Sequence, residues 1–233
     1  MLILVTATRK SRSDFDEGPL GKSLRSIPFD DQMISAVETE NSRGLPTVYN
    51  QVIDEYYREH SVVFLHDDIW LDDVFFTRRI RDGLEQFDVI GLAGNRVLHP
   101  DSPAWPFKDD TMQWDYENLS GVVRHGVSPC GTPSVYGPTP ERVQLLDGAL
   151  IAARISSLLD AGVRFDERFD FHFYDLDFSR QANAAGLKVG TWPISITHAS
   201  GGTSDSDSWR RGLELYRKKW RPLGAQASPQ ACK

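Results

Sequence analysis

The chain has 233 residues, a formal net charge of -7 and a pI of about 5.4, enough for one large α/β domain and too little for two ordinary domains and a linker. Its 40% hydrophobic and 25% charged residues argue against disorder, and the acidic balance argues against non-specific nucleic-acid binding, which needs a basic surface. No apolar stretch approaches the roughly 18 residues of a bilayer span.

Leu2-Ile3-Leu4-Val5 has no basic residues before it and no cleavage-like pattern after it. No signal peptide is therefore read there, and a soluble cytoplasmic protein is expected. Cys130 and Cys232 are too few and too far apart for a zinc site or a disulfide framework, and are expected as free thiols in a reducing compartment.

In chain order, Leu2 to Val5 reads as a buried strand opening into a polar loop from Thr6 to Pro28. Met33 to Val37 predicts a second strand, followed by Glu38-Thr39-Glu40-Asn41 and the turn Gly44-Leu45-Pro46. From Thr47 the spacing of Val48, Val52, Ile53 and Tyr56 predicts a helix. Val62 to Leu65 is the next strand; Phe76, Ile80, Leu84 and Phe87 mark a helix; Val89 to Ala93 is again a strand. Strands alternating with helices predict a mostly parallel sheet covered on both faces.

Between His99 and Pro140 the pattern dissolves, apart from a short strand within Ser120 to Val127. Such segments are usually lids or binding loops. Trp105 and Trp114 there suit a sugar ring or close a small core. Val143 to Ala153 reads as an apolar strand interrupted by Asp147-Gly148. Phe178, Ala182 and Ala185 mark a helix stopped by Gly186, and Val189 to Ile196 is a strand broken by Pro193. Ser206 or Asp207 caps a final helix with Trp209, Leu213, Tyr216 and Trp220 in one stripe. A single domain over 1–222 and a mobile tail over 223–233 are expected.

The chemistry concentrates at two places. Val62-Val63-Phe64-Leu65 ends abruptly in His66-Asp67-Asp68, where ligands bind in open α/β sheets. Two like charges about 4 Å apart repel by roughly 4 kcal/mol at an effective dielectric of about 20, so a positive partner is expected, a divalent cation being the natural one. Strand alternation puts Asp68 on the side of His66 and Asp67 on the other. The second place is Tyr174-Asp175-Leu176-Asp177, opening a helix where carboxylates favour the dipole. For Asp177 that structural role weighs as much as a chemical one. The aromatic run Phe169 to Tyr174 would desolvate Asp175, raise its pKa and make it a better general base. His198 follows an apolar run, and imidazole with carboxylate is a common divalent-metal set.

These segments resemble nucleotide-sugar-dependent glycosyltransferases of the GT-A fold, family 2, nearest to the bacterial branch of streptomycin-cluster-type glycosyltransferases. Val62 to Asp68 resembles the strand ending in an Asp-x-Asp motif, with His66 at the first Asp. Leu146 to Arg154 resembles the Asp-Gly-Ala strand, which implies that Asp147 and Gly148 line the acceptor side. Phe165-Asp166-Glu167 through Asp175-Leu176-Asp177 to Ala185-Gly186 resembles the signature around the catalytic base, with Tyr174 at the usual Glu.

The resemblance implies Asp68 as the metal carboxylate, assisted by Asp67 or His66, with His198 near metal and diphosphate. It implies Asp175 as base, Mn²⁺ or Mg²⁺ as cofactor, and an inverting transfer from a nucleotide-sugar donor to a carbohydrate or other hydroxyl acceptor. The N-terminal strand, to Thr6, with Glu38, Glu40 or Asn41, would hold base and ribose. Two rivals are a nucleotide-sugar-binding protein without catalysis and a sugar-1-phosphate nucleotidyltransferase. The second ranks lower because the basic loop Thr6-Ala7-Thr8-Arg9-Lys10 lacks glycine.

Overall fold

The computed structural model describes residues 1–26, 33–100, 102–200 and 206–220. The strands are β1 (Leu2–Ala7), β2 (Met33–Glu38), β3 (Ser61–Leu65), β4 (Ile69–Leu71), β5 (Val89–Gly91), β6 (Ala93–Asn95), β7 (Leu119–His125), β8 (Thr132–Gly137), β9 (Leu145–Leu146), β10 (Leu150–Arg154), β11 (Val189–Thr191) and β12 (Ile196–His198). The α-helices are α1 (Arg12–Asp16), α2 (Pro19–Ser26), α3 (Leu45–Tyr49), α4 (Phe76–Gln86), α5 (Ile155–Asp160), α6 (Tyr174–Ala184) and α7 (Asp207–Trp220). The expected tail, 223–233, lies outside the described residues, as do Pro28 and the turn glycines Gly201 and Gly202.

The core is a six-stranded sheet in the order β11-β5-β10-β3-β1-β2. β1 pairs in parallel with β2 and β3, and β5 with β11, while β10 runs antiparallel between β3 and β5. Leu2, Ile3, Leu4 and Val5, like Val62 to Leu65, are buried along their whole length, because elements cover both faces of the sheet. β2 is the edge strand, and Ile34, Ser35 and Ala36 are exposed. A second sheet, β4-β12-β7-β6-β9 with β8 paired to β7, stands at one end of the first.

The chain passes repeatedly from the first sheet to the second without a long connection. β3 leads through His66-Asp67-Asp68 into β4, β5 through Leu92 into β6, and β11 through Trp192 to Ser195 into β12; β9 returns through Asp147-Gly148-Ala149 into β10. Backbone bonds lace this seam: His66 N to Ala149 O at 3.1 Å, Asp147 N to Ala93 O at 2.9 Å, Trp192 N to Gly91 O at 2.9 Å and Ala199 N to Asp68 O at 3.0 Å.

Several elements differ from the sequence reading, each for a local reason. The polar stretch after β1 holds α1 and α2, too short to show a period, with Phe15 and Leu20 as buried anchors and Ser11 Oγ accepting from Asp14 N at 3.2 Å. The helix expected from Thr47 breaks after α3: Ile53 leaves helical geometry at ψ 75°, and Asp54 caps a separate 3₁₀ turn. Val48, Val52 and Ile53 are buried as expected, but Tyr56 is exposed. The runs 143–153 and 189–196 each divide between the two sheets, β9 from β10 and β11 from β12.

The helix ends follow their signals. α6 stops at Gly186, whose φ of 85° suits a residue without Cβ, and Leu187 N closes on Ala182 O at 3.0 Å. For α7 the structure selects Ser206, whose Oγ accepts from Trp209 N at 3.1 Å. The helix docks on α6 through Asp177. That carboxylate is fully buried and accepts from Lys219 Nζ at 2.9 Å, Trp220 Nε1 at 2.8 Å and Gln181 Nε2 at 2.7 Å. Burial raises the Asp177 pKa, opposed by Lys219. Its structural role is thus the one seen in the fold.

Removing this carboxylate leaves the Lys219 charge without its buried partner. Asp177→Ala should cost about 3 kcal/mol and lower the thermal midpoint by roughly 6–12 °C. An unchanged midpoint in calorimetry would show that α7 docks by other means.

Candidate functional site

The polar residues of the seam gather around two adjoining cavities. The larger, about 870 Å³, is lined by Thr8, Arg9, Lys10, Asn41, Arg43, Asp67, Asp68, Arg168, Phe171 and Arg211, among others. The smaller, about 280 Å³, is lined by His66, Trp105, Asp147, Gly148, Tyr174, Asp175 and His198, among others, and shares Phe171 and His172 with the larger.

Strand register brings the first cluster together. β12 pairs antiparallel with β4, setting His198 opposite Ile69 and thus beside Asp68. His198 Nε2 lies 3.2 Å from Asp68 Oδ1. Ligand atoms of His66, Asp68 and His198 all fall within 4.8 Å of one another. Thr197, next to His198, anchors the strand by donating to Asp72 Oδ2 at 2.6 Å and accepting from Gly131 N at 2.9 Å.

The electrostatics are resolved residue by residue. Asp67 turns away from the cluster, accepting from Thr8 Oγ1 at 2.6 Å and pairing with Lys10 Nζ at 2.9 Å. Burial would raise the Asp68 pKa, but the hydrogen bond and charge of His198 hold it well below the usual carboxylate range. Burial likewise opposes the charged form of His198, and the Asp68 contact outweighs it, raising the imidazole pKa. The repulsion expected between the adjacent carboxylates is therefore already relieved by Lys10 and His198. The protein supplies the positive partners that the sequence reading assigned to a cation.

His66 meets the other unusual residue. Its Nε2 is 3.0 Å from Tyr174 Oη, and Tyr174 donates its single proton to Gly148 O at 2.8 Å. The hydroxyl must then accept from His66, so Nε2 carries the proton and Nδ1 keeps its lone pair. Burial, and then the neighbouring His198, lower the His66 pKa and favour the neutral ring. Two imidazoles and one carboxylate make a donor set that fits a divalent cation.

Asp175 stands at the start of α6. The preceding residue but one, Phe173, has φ 68°, uncommon for a residue with a Cβ. Its buried ring is clamped by Trp209 at 5.5 Å and Tyr216 at 5.6 Å between centroids, both on α7. Burial and the Asp147 charge push the Asp175 pKa up to about 7, against backbone donors at Leu176, Asp175 and Gly148. Gly148 is required here, since a Cβ would lie 2.7 Å from Tyr174 Oη and 3.0 Å from an Asp175 oxygen. Asp147 is fixed by Trp105 Nε1 at 2.9 Å and by Ala149 N at 2.9 Å.

The remaining candidates divide. Asn41 lines the large cavity and braces its loop, donating to Arg43 O at 2.8 Å and accepting from Arg43 N at 3.0 Å. Glu38 pairs with Arg43 at 2.9 Å, and Glu40 is exposed at φ 52°; neither lines the cavity. Thr6 is fully buried within β1 and its Oγ1 has no partner, so the hydroxyl presented to the cavity is that of Thr8, past the strand end. Trp105 lines the small cavity, whereas Trp114 is 37% exposed outside it. The sequence reading did not single out Arg43, Arg168 and Arg211 at the large cavity. They converge from separate segments, and only the basic run Arg9-Lys10 gave a local signal.

No protein-family model matches the sequence, and no curated protein matches it. Solved structures do. S. aureus TarS 1–349 superposes with a TM-score of 0.52 at 14% identity over 85% of this chain and 60% of that one. TarS 1–349 in complex with UDP gives 0.51 at 13% identity with the same coverages. The mannosyltransferase PcManGT from Pyrobaculum calidifontis, in complex with GDP-Man and Mn²⁺, gives 0.47 at 12% identity over 93% of this chain and 60% of that one. The chain thus spans about three fifths of the length of these three. The likeness to TarS is one of fold: this protein has a GT-A-like glycosyltransferase fold, mixed α/β with helices flanking its sheets.

Proposed function

We propose that the protein is a metal-dependent, inverting glycosyltransferase of the family 2 type, moving a hexose from a nucleotide-sugar donor to an acceptor hydroxyl. One observation carries the reading: the His66, Asp68 and His198 cluster lies between a large arginine-lined cavity and a small one holding Asp175. The large cavity, at about 870 Å³, is of the size ligand pockets have. Its arginines suit a diphosphate, which an acidic protein would otherwise repel.

His66, Asp68 and His198 would hold the cation, with Lys10 and Thr8 keeping Asp67 aside. A mixed set of two imidazoles and one carboxylate suits Mn²⁺ better than Mg²⁺, which prefers oxygen donors. When bound, such an ion neutralises charge growing on the departing nucleoside diphosphate.

The chain's own chemistry is a proton transfer. An acceptor hydroxyl in the small cavity attacks the anomeric carbon opposite the leaving group; the new C–O bond forms as the bond to diphosphate oxygen breaks. Asp175 takes the hydroxyl proton. A carboxyl pushed up to about 7 is well matched to that task near neutral pH. Trp105, Asp147 and Gly148 form the wall against which the acceptor is oriented.

Asp175→Asn should lower transfer by about 10²–10⁴-fold while nucleotide affinity stays within twofold or so. Because only the deprotonated carboxylate accepts a proton, kcat/KM should fall about tenfold per pH unit below about 7 and level off above it. Turnover that survives the substitution, or a flat profile, would remove Asp175 from the role.

For the donor, UDP, GDP and dTDP should be screened by thermal shift, each with and without Mn²⁺. Stabilisation selective for one base and abolished by EDTA is expected. His198→Ala should weaken Mn²⁺ binding about 10–100-fold in calorimetry. Absence of a shift with every nucleotide would reject the donor class.

A further inference from the structure

Beyond the small cavity the protein displays a row of aromatic rings. Trp105, in the cavity wall, meets Tyr136 of β8 edge to face at 5.0 Å between centroids. Tyr136 lies nearly parallel to Trp114, with an interplanar angle of 8° and centroids 6.3 Å apart. Trp114 in turn is nearly parallel to Tyr116, at 9° and 5.3 Å. The row runs outward from burial to solvent: Trp105 is 9% exposed, Trp114 37% and Tyr116 68%. Contiguous exposed aromatic surface on a soluble domain usually marks a binding site.

The loop carrying Trp114 and Tyr116 is built around a fully buried carboxylate. Asp115, between them, accepts from His99 Nε2 at 2.7 Å, Asn95 Nδ2 at 3.1 Å and Asn118 Nδ2 at 3.0 Å. A satisfied, buried network of this kind fixes a loop, so its rings need little ordering when a ligand arrives. The segment 109–117 holds Asp109, Asp110, Asp115 and Glu117 and no basic residue. Its surface therefore disfavours a phosphate-bearing polymer.

We propose that the row from Trp105 to Tyr116 is a docking track for an uncharged, linear glycan whose end enters the small cavity, so that the acceptor is an oligosaccharide chain rather than a small molecule. This rests on the small cavity being the acceptor pocket. The flat faces of pyranose rings present C–H groups that stack on aromatic faces, and near-parallel rings in a row offer successive units equivalent platforms. Continuity with Trp105 gives the chain a direction, toward Asp175.

The test uses the intact protein and four linear series, gluco-, manno-, chito- and xylo-oligosaccharides of one to six units, titrated by calorimetry and saturation-transfer NMR. In at least one series the dissociation constant should fall tenfold or more from two units to six. Tyr116→Ala, at an exposed position that the fold does not need, should remove most of that gain, and Trp114→Ala the rest. No gain with length in any series, or a gain that survives both substitutions, overturns the proposal. Concentration-dependent dimerisation in light scattering that Tyr116→Ala abolishes would also overturn it, assigning the rings to a second copy of the chain. The nucleotide screen distinguishes the two levels. Nucleotide binding without a length gain sinks the track alone; a length gain without nucleotide binding sinks the donor reading and leaves a glycan site.

Discussion

The arrangement depends on the seam where strands leave one sheet and enter the other. A strand interior must satisfy its backbone in a ladder and bury its side chains, leaving little room for clustered ionisable groups. At the seam the ladders change partners, and His66, Asp68, Asp147 and Gly148 occupy those changes, with His198 at the end of the last strand. The pairing of His198 with Ile69 joins residues 130 positions apart in sequence by register alone, since the strand after Asp68 is the one that β12 meets. Shifting that register by one residue would turn His198 to the opposite face.

The adjacent aspartates, costly on paper, are separated by their partners. Lys10 and Thr8 draw Asp67 to one side while His198 holds Asp68 on the other. The pair is therefore tolerable without a ligand, and only Asp68 remains pointed at the imidazoles. His66 and Tyr174, the two departures from the glycosyltransferase pattern, are bonded to each other. Where two acidic groups would stand in that pattern, this chain has a neutral imidazole oriented by a phenol. The exchange removes negative charge from the site and leaves a lone pair on Nδ1 facing away from the phenol, so a metal-binding function and the altered sequence are compatible.

The posture of Asp175 is set from behind. Phe173 keeps a left-handed backbone, a conformation that costs of order 1–3 kcal/mol and persists only when packing enforces it. Trp209 and Tyr216 supply that packing, and Asp177 with Lys219 and Trp220 fastens the helix that carries them. The two acidic residues of one turn of α6 thus divide the work: Asp177 faces inward and ties α7 down, while Asp175 faces the cavity beside Gly148.

Much of this was legible in the residues. Uninterrupted apolar runs announced β1, β3 and β5, because strands covered on both faces must be apolar throughout. The abrupt end of β3 in His66-Asp67-Asp68 and the aromatic run before Asp175 marked the polar positions, since desolvated charge is costly wherever it occurs. Gly186 and Ser206 marked helix ends through local chemistry that needs no distant partner. Tertiary structure decided what depends on partners far along the chain. It assigned Lys10 to Asp67, Tyr174 to His66 and Lys219 to Asp177, turned Thr6 inward and Thr8 outward, and split the runs 143–153 and 189–196 between two sheets. A side chain's type fixes what it can bond, and its neighbours in sequence fix the local backbone. Which charge it meets follows only from the register and crossing of strands, and those are set by the packing of the whole core.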